Sequence, residues 1–84
     1  MTKEEIIKIT NETLVEKFKL DPSSLKPEST VAQDLGFSSI DMVDIVVYLE
    51  EAFNIELKSK YDNLDKIKTL GSIYNYIEKT IRMS

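Results

Sequence analysis

Ser38 and Ser39 are two adjacent hydroxyls in the run Asp34-Leu35-Gly36-Phe37-Ser38-Ser39-Ile40-Asp41, which opens directly into an apolar helical pattern from Met42 to Phe53. A serine becomes a nucleophile when a neighbouring base takes its proton, and that base is most often histidine. This chain has no histidine and no cysteine, so the commonest base and the commonest alternative nucleophile are both missing. Ser39 therefore reads as a place where another enzyme attaches a group. The plainer reading is that both serines only cap the helix. Ser38 followed by Asp41 has the spacing of a capping box, with Asp in the usual Glu place. Capping by Ser38 puts Ser39 at the first helical position with its side chain free. A phosphodiester attached there would lie beside unpaired backbone amides at the positive end of the helix dipole.

Other chemistries fail on inventory. Without His or Cys a zinc site has only carboxylates to draw on, and neither GxxxxGK nor GxGxxG occurs. A calcium loop counted from Asp34 meets Gly36 at its second ligand place and Ser39 where the turn glycine belongs. No metal is expected. A chain of 84 residues, 42% hydrophobic and 31% charged, is read as a single domain over residues 1–84, too small for a buried catalytic cleft.

The net charge of −4 argues against nucleic acid as a partner. Its distribution says more. No basic residue lies between Lys26 and Lys58, whereas Glu28, Asp34, Asp41, Asp44, Glu50, Glu51 and Glu56 all do. Such a span is either a solvated face or a means of steering the chain toward basic surfaces. The N-terminal Met1-Thr2-Lys3-Glu4-Glu5 opens no apolar signal region, and no run approaches the roughly 20 apolar residues of a membrane span. A soluble, cytoplasmic monomer is expected.

Helices must position these groups. Thr2-Lys3-Glu4-Glu5 has the capping-box spacing and starts a helix whose stripe is Ile6, Ile7, Thr10, Leu14 and Phe18, ending before Asp21-Pro22. A long connection from Leu20 to Gly36 follows, with Leu25, Val31 and Leu35 as its apolar pins. In the second helix Met42, Ile45, Val46, Leu49 and Phe53 form the core stripe. Ile40, Val43 and Val47 make a separate strip bordered by Asp41, Asp44 and Glu51 on one side and Glu50 on the other. That strip either docks a partner, or Ile40 and Val43 simply widen the core contact or meet a neighbouring helix. A short third helix is expected around Tyr61 to Lys66. Thr69 then caps a last helix with Leu70, Ile73, Tyr74, Ile77 and Ile81 as its stripe. Gly71 in its first turn has no local reason. The fold class is all-α, a small four-helix bundle with a long loop between helices 1 and 2.

These residues together resemble the acyl carrier protein family over nearly the whole chain. The family motif is Asp-Leu-Gly, a variable residue, then Asp-Ser-Leu and an acid; here it stands as Asp34-Leu35-Gly36-Phe37-Ser38-Ser39-Ile40-Asp41. Leu49-Glu50-Glu51-Ala52-Phe53 resembles its Leu-Glu-Glu-x-Phe, and Lys66-Ile67-Lys68-Thr69-Leu70 its Lys-Ile-x-Thr-Val. Ser38 stands in place of the usual aspartate and Ile40 in place of the usual leucine. The resemblance implies that Ser39 carries 4'-phosphopantetheine, transferred from coenzyme A by a phosphopantetheinyl transferase, and that acyl groups ride on the arm as thioesters. It also implies that the chain is no enzyme. It delivers its cargo to acyl-transferring, synthase or ligase enzymes with basic docking surfaces, in fatty-acid, polyketide or specialised acyl pathways. Ile40, Asp41, Val43, Asp44, Val47, Glu50 and Glu51 match the places where the family meets those partners. Two alternatives stay open: an aminoacyl or peptidyl carrier of a nonribosomal pathway, and an unmodified helical interaction domain.

Overall fold

Thr2 begins the first helix by reciprocal capping: its hydroxyl accepts the Glu5 amide at 3.2 Å, and Glu5 Oε1 accepts the Thr2 amide at 3.0 Å. Helix α1 runs Lys3–Phe18. Lys19 ends it in the left-handed region at φ 57°, its amide reaching the Val15 carbonyl at 2.9 Å. The computed structural model describes residues 1–57 and 67–83. Among them are two more α-helices, α2 over Ser39–Phe53 and α3 over Leu70–Met83, and no strand. Asn54 closes α2 as Lys19 closes α1, at φ 55°. Thr69 caps α3, its hydroxyl accepting the Ser72 amide at 3.3 Å. The third helix expected around Tyr61 to Lys66 lies outside the described residues.

The apolar stripes meet in one core. Ile6 and Leu14 of α1, Met42, Ile45, Leu49 and Phe53 of α2, and Leu70, Ile73, Tyr74 and Ile77 of α3 are all buried there. Ile7, Phe18 and Ile81, also placed on stripes by spacing, are partly buried against it. Polar bonds tie α1 to α3 at two levels: Lys3 Nζ donates to Asn75 Oδ1 and Glu78 Oε1, and the Tyr74 hydroxyl donates to Asn11 Oδ1. Burial pushes the Tyr74 phenol above its ordinary pKa, against the smaller opposing effect of Asn11. Thr10 is fully buried, and its Oγ1 has no hydrogen-bond partner among the described residues.

Residues 19–38 connect α1 to α2 and carry a 3-10 turn at Pro22–Ser24, capped by the Asp21 carboxylate on the Ser23 amide at 3.0 Å. Leu25, Val31 and Leu35 are buried, so the connection is anchored to the core at all three expected pins. It is also clamped to the start of α3 by main-chain bonds. Val31 donates to the Lys68 carbonyl at 2.9 Å, Leu70 to that of Ser29 at 3.0 Å, and Gly71 to that of Pro27 at 2.9 Å. An isolated antiparallel bridge pairs Thr30 with Thr69. The clamp explains Gly71, because a Cβ there would stand 3.2 Å from the Pro27 carbonyl oxygen. Its cause lies far away in sequence, which is why spacing within the helix gave no reason for it.

Candidate functional site

The loop reaches the head of α2 through two fixed points. Asp34 and Thr30 bond reciprocally: the Asp34 carboxylate accepts the Thr30 amide at 2.8 Å, and the Thr30 hydroxyl accepts the Asp34 amide at 3.1 Å. Gly36 then turns the chain at φ +73°, a left-handed conformation that side-chain-bearing residues rarely adopt, with open space where a Cβ would stand. Phe37 plunges back into the core at 7% exposure, and its amide donates to the Val31 carbonyl at 2.9 Å.

Ser38 is the cap. Its hydroxyl accepts the Asp41 amide at 3.2 Å, and Asp41 Oδ2 accepts the Ser38 amide at 2.9 Å. Ser39 is consequently the first residue of α2, exposed, and no hydrogen bond to its hydroxyl is made among the described residues. The Met42 amide bonds the Ser38 carbonyl at 3.0 Å, so the amides of Ser39 and Ile40 are those left without an intrahelical partner. An exposed primary hydroxyl beside two free amides at a helix N-terminus is chemically suited to bear a phosphodiester. The chain offers it no histidine as a base and no cysteine beside it, and among the described residues no lysine is bonded to it.

Of the strip on α2, Ile40 is 74% exposed and Val47 39%, while Val43 is half-buried. Asp44 and Glu51 are exposed beside it. The core stripe and this strip are therefore separate faces, and Ile40 does not widen the core. Asp41 and Glu50 differ from Asp44 and Glu51 because each holds a backbone amide. Asp41 closes the capping box, and Glu50 Oε2 accepts the Leu57 amide at 2.9 Å, fixing the chain where it leaves α2. Among the described residues no group of His, Cys, Asp or Glu could hold a metal ion. Nor is any helix there long and apolar enough to cross a membrane.

Spacing did not single out the aromatic contacts behind the motif. The Phe37 ring lies 4.9 Å from that of Phe18 at 53°, and Phe18 meets Tyr48 edge-on at 6.0 Å. Lys17 Nζ sits 5.2 Å over the Tyr48 ring. A signal did exist: Phe37 and Met42 occupy the places of a hydrophobic staple around the cap, and both are buried in the core.

Residues 11–77 match the family model described as the phosphopantetheine attachment site. An acyl carrier protein of Wolinella succinogenes is 42% identical over 67 residues, which cover 80% of this chain and 86% of that protein. One from Campylobacter curvus is 37% identical over 68 residues, covering 81% and 86%. One from Bdellovibrio bacteriovorus is 35% identical over 66 residues, covering 79% and 82%. With that match in sequence, and with a capped helix presenting an unencumbered serine at its head, the chain belongs to the acyl carrier protein family, whose members hold acyl groups on phosphopantetheine and are carriers rather than enzymes.

Proposed function

We propose that Ser39 is the residue that bears the 4'-phosphopantetheine arm, and that the strip on α2 docks the enzymes that load and use it. The observation that carries this reading is the division of labour between the two serines: Ser38 is committed to the cap, and Ser39 is exposed, its hydroxyl unbonded among the described residues. With a phosphopantetheinyl transferase supplying a base to take its proton, Ser39 Oγ would bond to the pantetheine-side phosphorus of coenzyme A while the pyrophosphate bond breaks and adenosine 3',5'-bisphosphate leaves, and the free Ser39 and Ile40 amides suit the phosphodiester charge that results. When bound, the group supplies a terminal thiol for acyl groups, which suits a carrier with no cysteine of its own.

Ile40, Val43 and Val47 form the apolar floor of the docking strip, and Asp44 and Glu51 give it charge. Asp41 and Glu50 add to that charge while holding the backbone. Partners are acyl-transferring, synthase or ligase enzymes with basic docking surfaces, met transiently because exposed ion pairs are weak and screened by salt. We further propose one domain over residues 1–84, acting as a cytoplasmic monomer. The shared core of α1, α2 and α3 supports the single domain. Supply of acyl groups to fatty-acid synthesis is the role most typical of the family.

Incubation with a transferase and coenzyme A should add one phosphopantetheine by mass. Ser39→Ala should abolish the addition and Ser38→Ala should retain it. Labelling that survives Ser39→Ala sinks the assignment. Reversal of Asp44 and Glu51 to lysine should raise the KM of the transferase for the carrier severalfold with little change in kcat; an unchanged KM returns both acids to the solvated surface.

A further inference from the structure

One ring joins three parts of the molecule immediately before the modified helix. Phe37 is 7% exposed although Gly36 and Ser38 on either side are exposed. Its ring rests on Phe18 in the last turn of α1, Phe18 in turn meets Tyr48 of α2, and the Phe37 amide is bonded to Val31 of the connection. The capping box made by Ser38 and Asp41 sets the geometry within the first turn of α2. It does nothing to fix that turn against the rest of the bundle. Helix ends fray, and a first turn whose preceding residue is unanchored spends part of its time unwound.

We propose that Phe37 is a positioning residue for modification of Ser39: by locking the residue before the cap onto Phe18, it keeps the Ser39 hydroxyl in the place where the transferase reacts with it. The proposal rests on Ser39 being the attachment point. It makes a separable claim about rate. Asp44, Val47 and Glu51 lie farther along α2 and would dock whether or not the first turn is wound. Loss of the ring therefore acts on the reacting geometry rather than on encounter, and small misplacements of a reacting atom are costly.

The test is steady-state kinetics of a phosphopantetheinyl transferase with the full-length carrier as varied substrate, well below the melting temperature of every variant. Phe37→Ala should lower kcat at least about tenfold and leave KM within about twofold. Phe37→Leu, which keeps a bulky apolar anchor, should recover most of the rate. Phe18→Ala, which leaves the motif untouched and removes the partner side chain, should lower kcat in the same sense. Ile77→Ala, in α3 and fully buried, controls for general destabilisation and should keep wild-type kcat. Amide exchange at Asp41 and Met42 should speed up in Phe37→Ala and not in Ile77→Ala. Wild-type kcat in Phe37→Ala, a loss confined to KM, or an equal loss in Ile77→Ala would each overturn the proposal. If Phe37→Ala does not fold, Phe18→Ala decides it alone, and wild-type kcat in Phe18→Ala overturns it. Labelling that persists in Ser39→Ala instead removes the attachment reading and is recognised by that variant by itself.

Discussion

Thr10→Val should make the protein more stable, and Ser29→Ala should make it less so, although both remove one hydroxyl from a buried residue. Thr10 is 0% exposed and its Oγ1 has no partner among the described residues. An unpaired buried hydroxyl costs about 1–3 kcal/mol in desolvation. Valine keeps the β-branch, so helix propensity and rotamer freedom barely change. The added methyl contributes at most about 0.8 kcal/mol of further burial. The expected gain is thus about 1–3 kcal/mol, and with roughly 4–8 °C per kcal/mol at this size the melting temperature should rise by at least about 4 °C. Ser29 is buried too, but its hydroxyl donates to the Ser24 carbonyl at 2.8 Å and accepts the Lys26 amide at 3.2 Å. Removing it strips two partners from the connection and should cost about 1–2 kcal/mol. Thermal and urea unfolding followed by circular dichroism read both effects, as shifts in midpoint at constant m. A Thr10→Val protein that melts at or below wild type would refute the reasoning. It would mean that the hydroxyl is satisfied in solution, for instance by the carbonyl one turn back.

Gly71→Ala should lower the melting temperature even though alanine favours an exposed helix interior by about 1 kcal/mol, because its Cβ meets a Pro27 carbonyl already held by the Gly71 amide. A higher melting temperature would show that the connection yields at no cost. Hydrogen bonds from the backbone and then the side chain of Thr2 hold the Glu5 carboxyl below its ordinary pKa of 4.5. Its folded pKa is depressed, so its stabilisation is present above that ordinary value and is lost as pH falls through the depressed one. The deficit of Glu5→Ala relative to wild type should therefore shrink in acid; a deficit independent of pH counts against the capping role.

What could be read from the sequence was what is local. Thr2 with Glu5 and Ser38 with Asp41 lie three residues apart, and both capping boxes form because a helix start is decided within one turn. The stripe from Met42 to Phe53 was legible for the same reason: period alone places it. Gly71, Phe37 and Glu50 were opaque or partly so because each answers to a residue that only folding brings near. Pro27 crowds Gly71, Phe18 receives Phe37, and Leu57 donates to a Glu50 that looked like one more surface acid. The strip of Ile40, Val43 and Val47 stands between these cases. Spacing separated it from the core stripe, but the exposure of Ile40 could be settled only once α1 and α3 had taken their places. Thr10 on the α1 stripe was expected inside, whereas its lack of a partner was not something periodicity can express.

The clamp between the connection and the start of α3 bears on how freely this molecule can change. Its rungs run from the amides of Val31, Leu70 and Gly71 to the carbonyls of Lys68, Ser29 and Pro27, so every one is main chain. Pro27 serves through its carbonyl, and its missing N–H is no handicap. The exposed Glu28 and Lys68 side chains contribute nothing to the rungs. Mutation can therefore revise the charge along this edge almost letter by letter while the fold stays put, with Gly71 as the position where a side chain meets the Pro27 carbonyl. A carrier that has to suit new enzymes thus has room along this edge in which to do so.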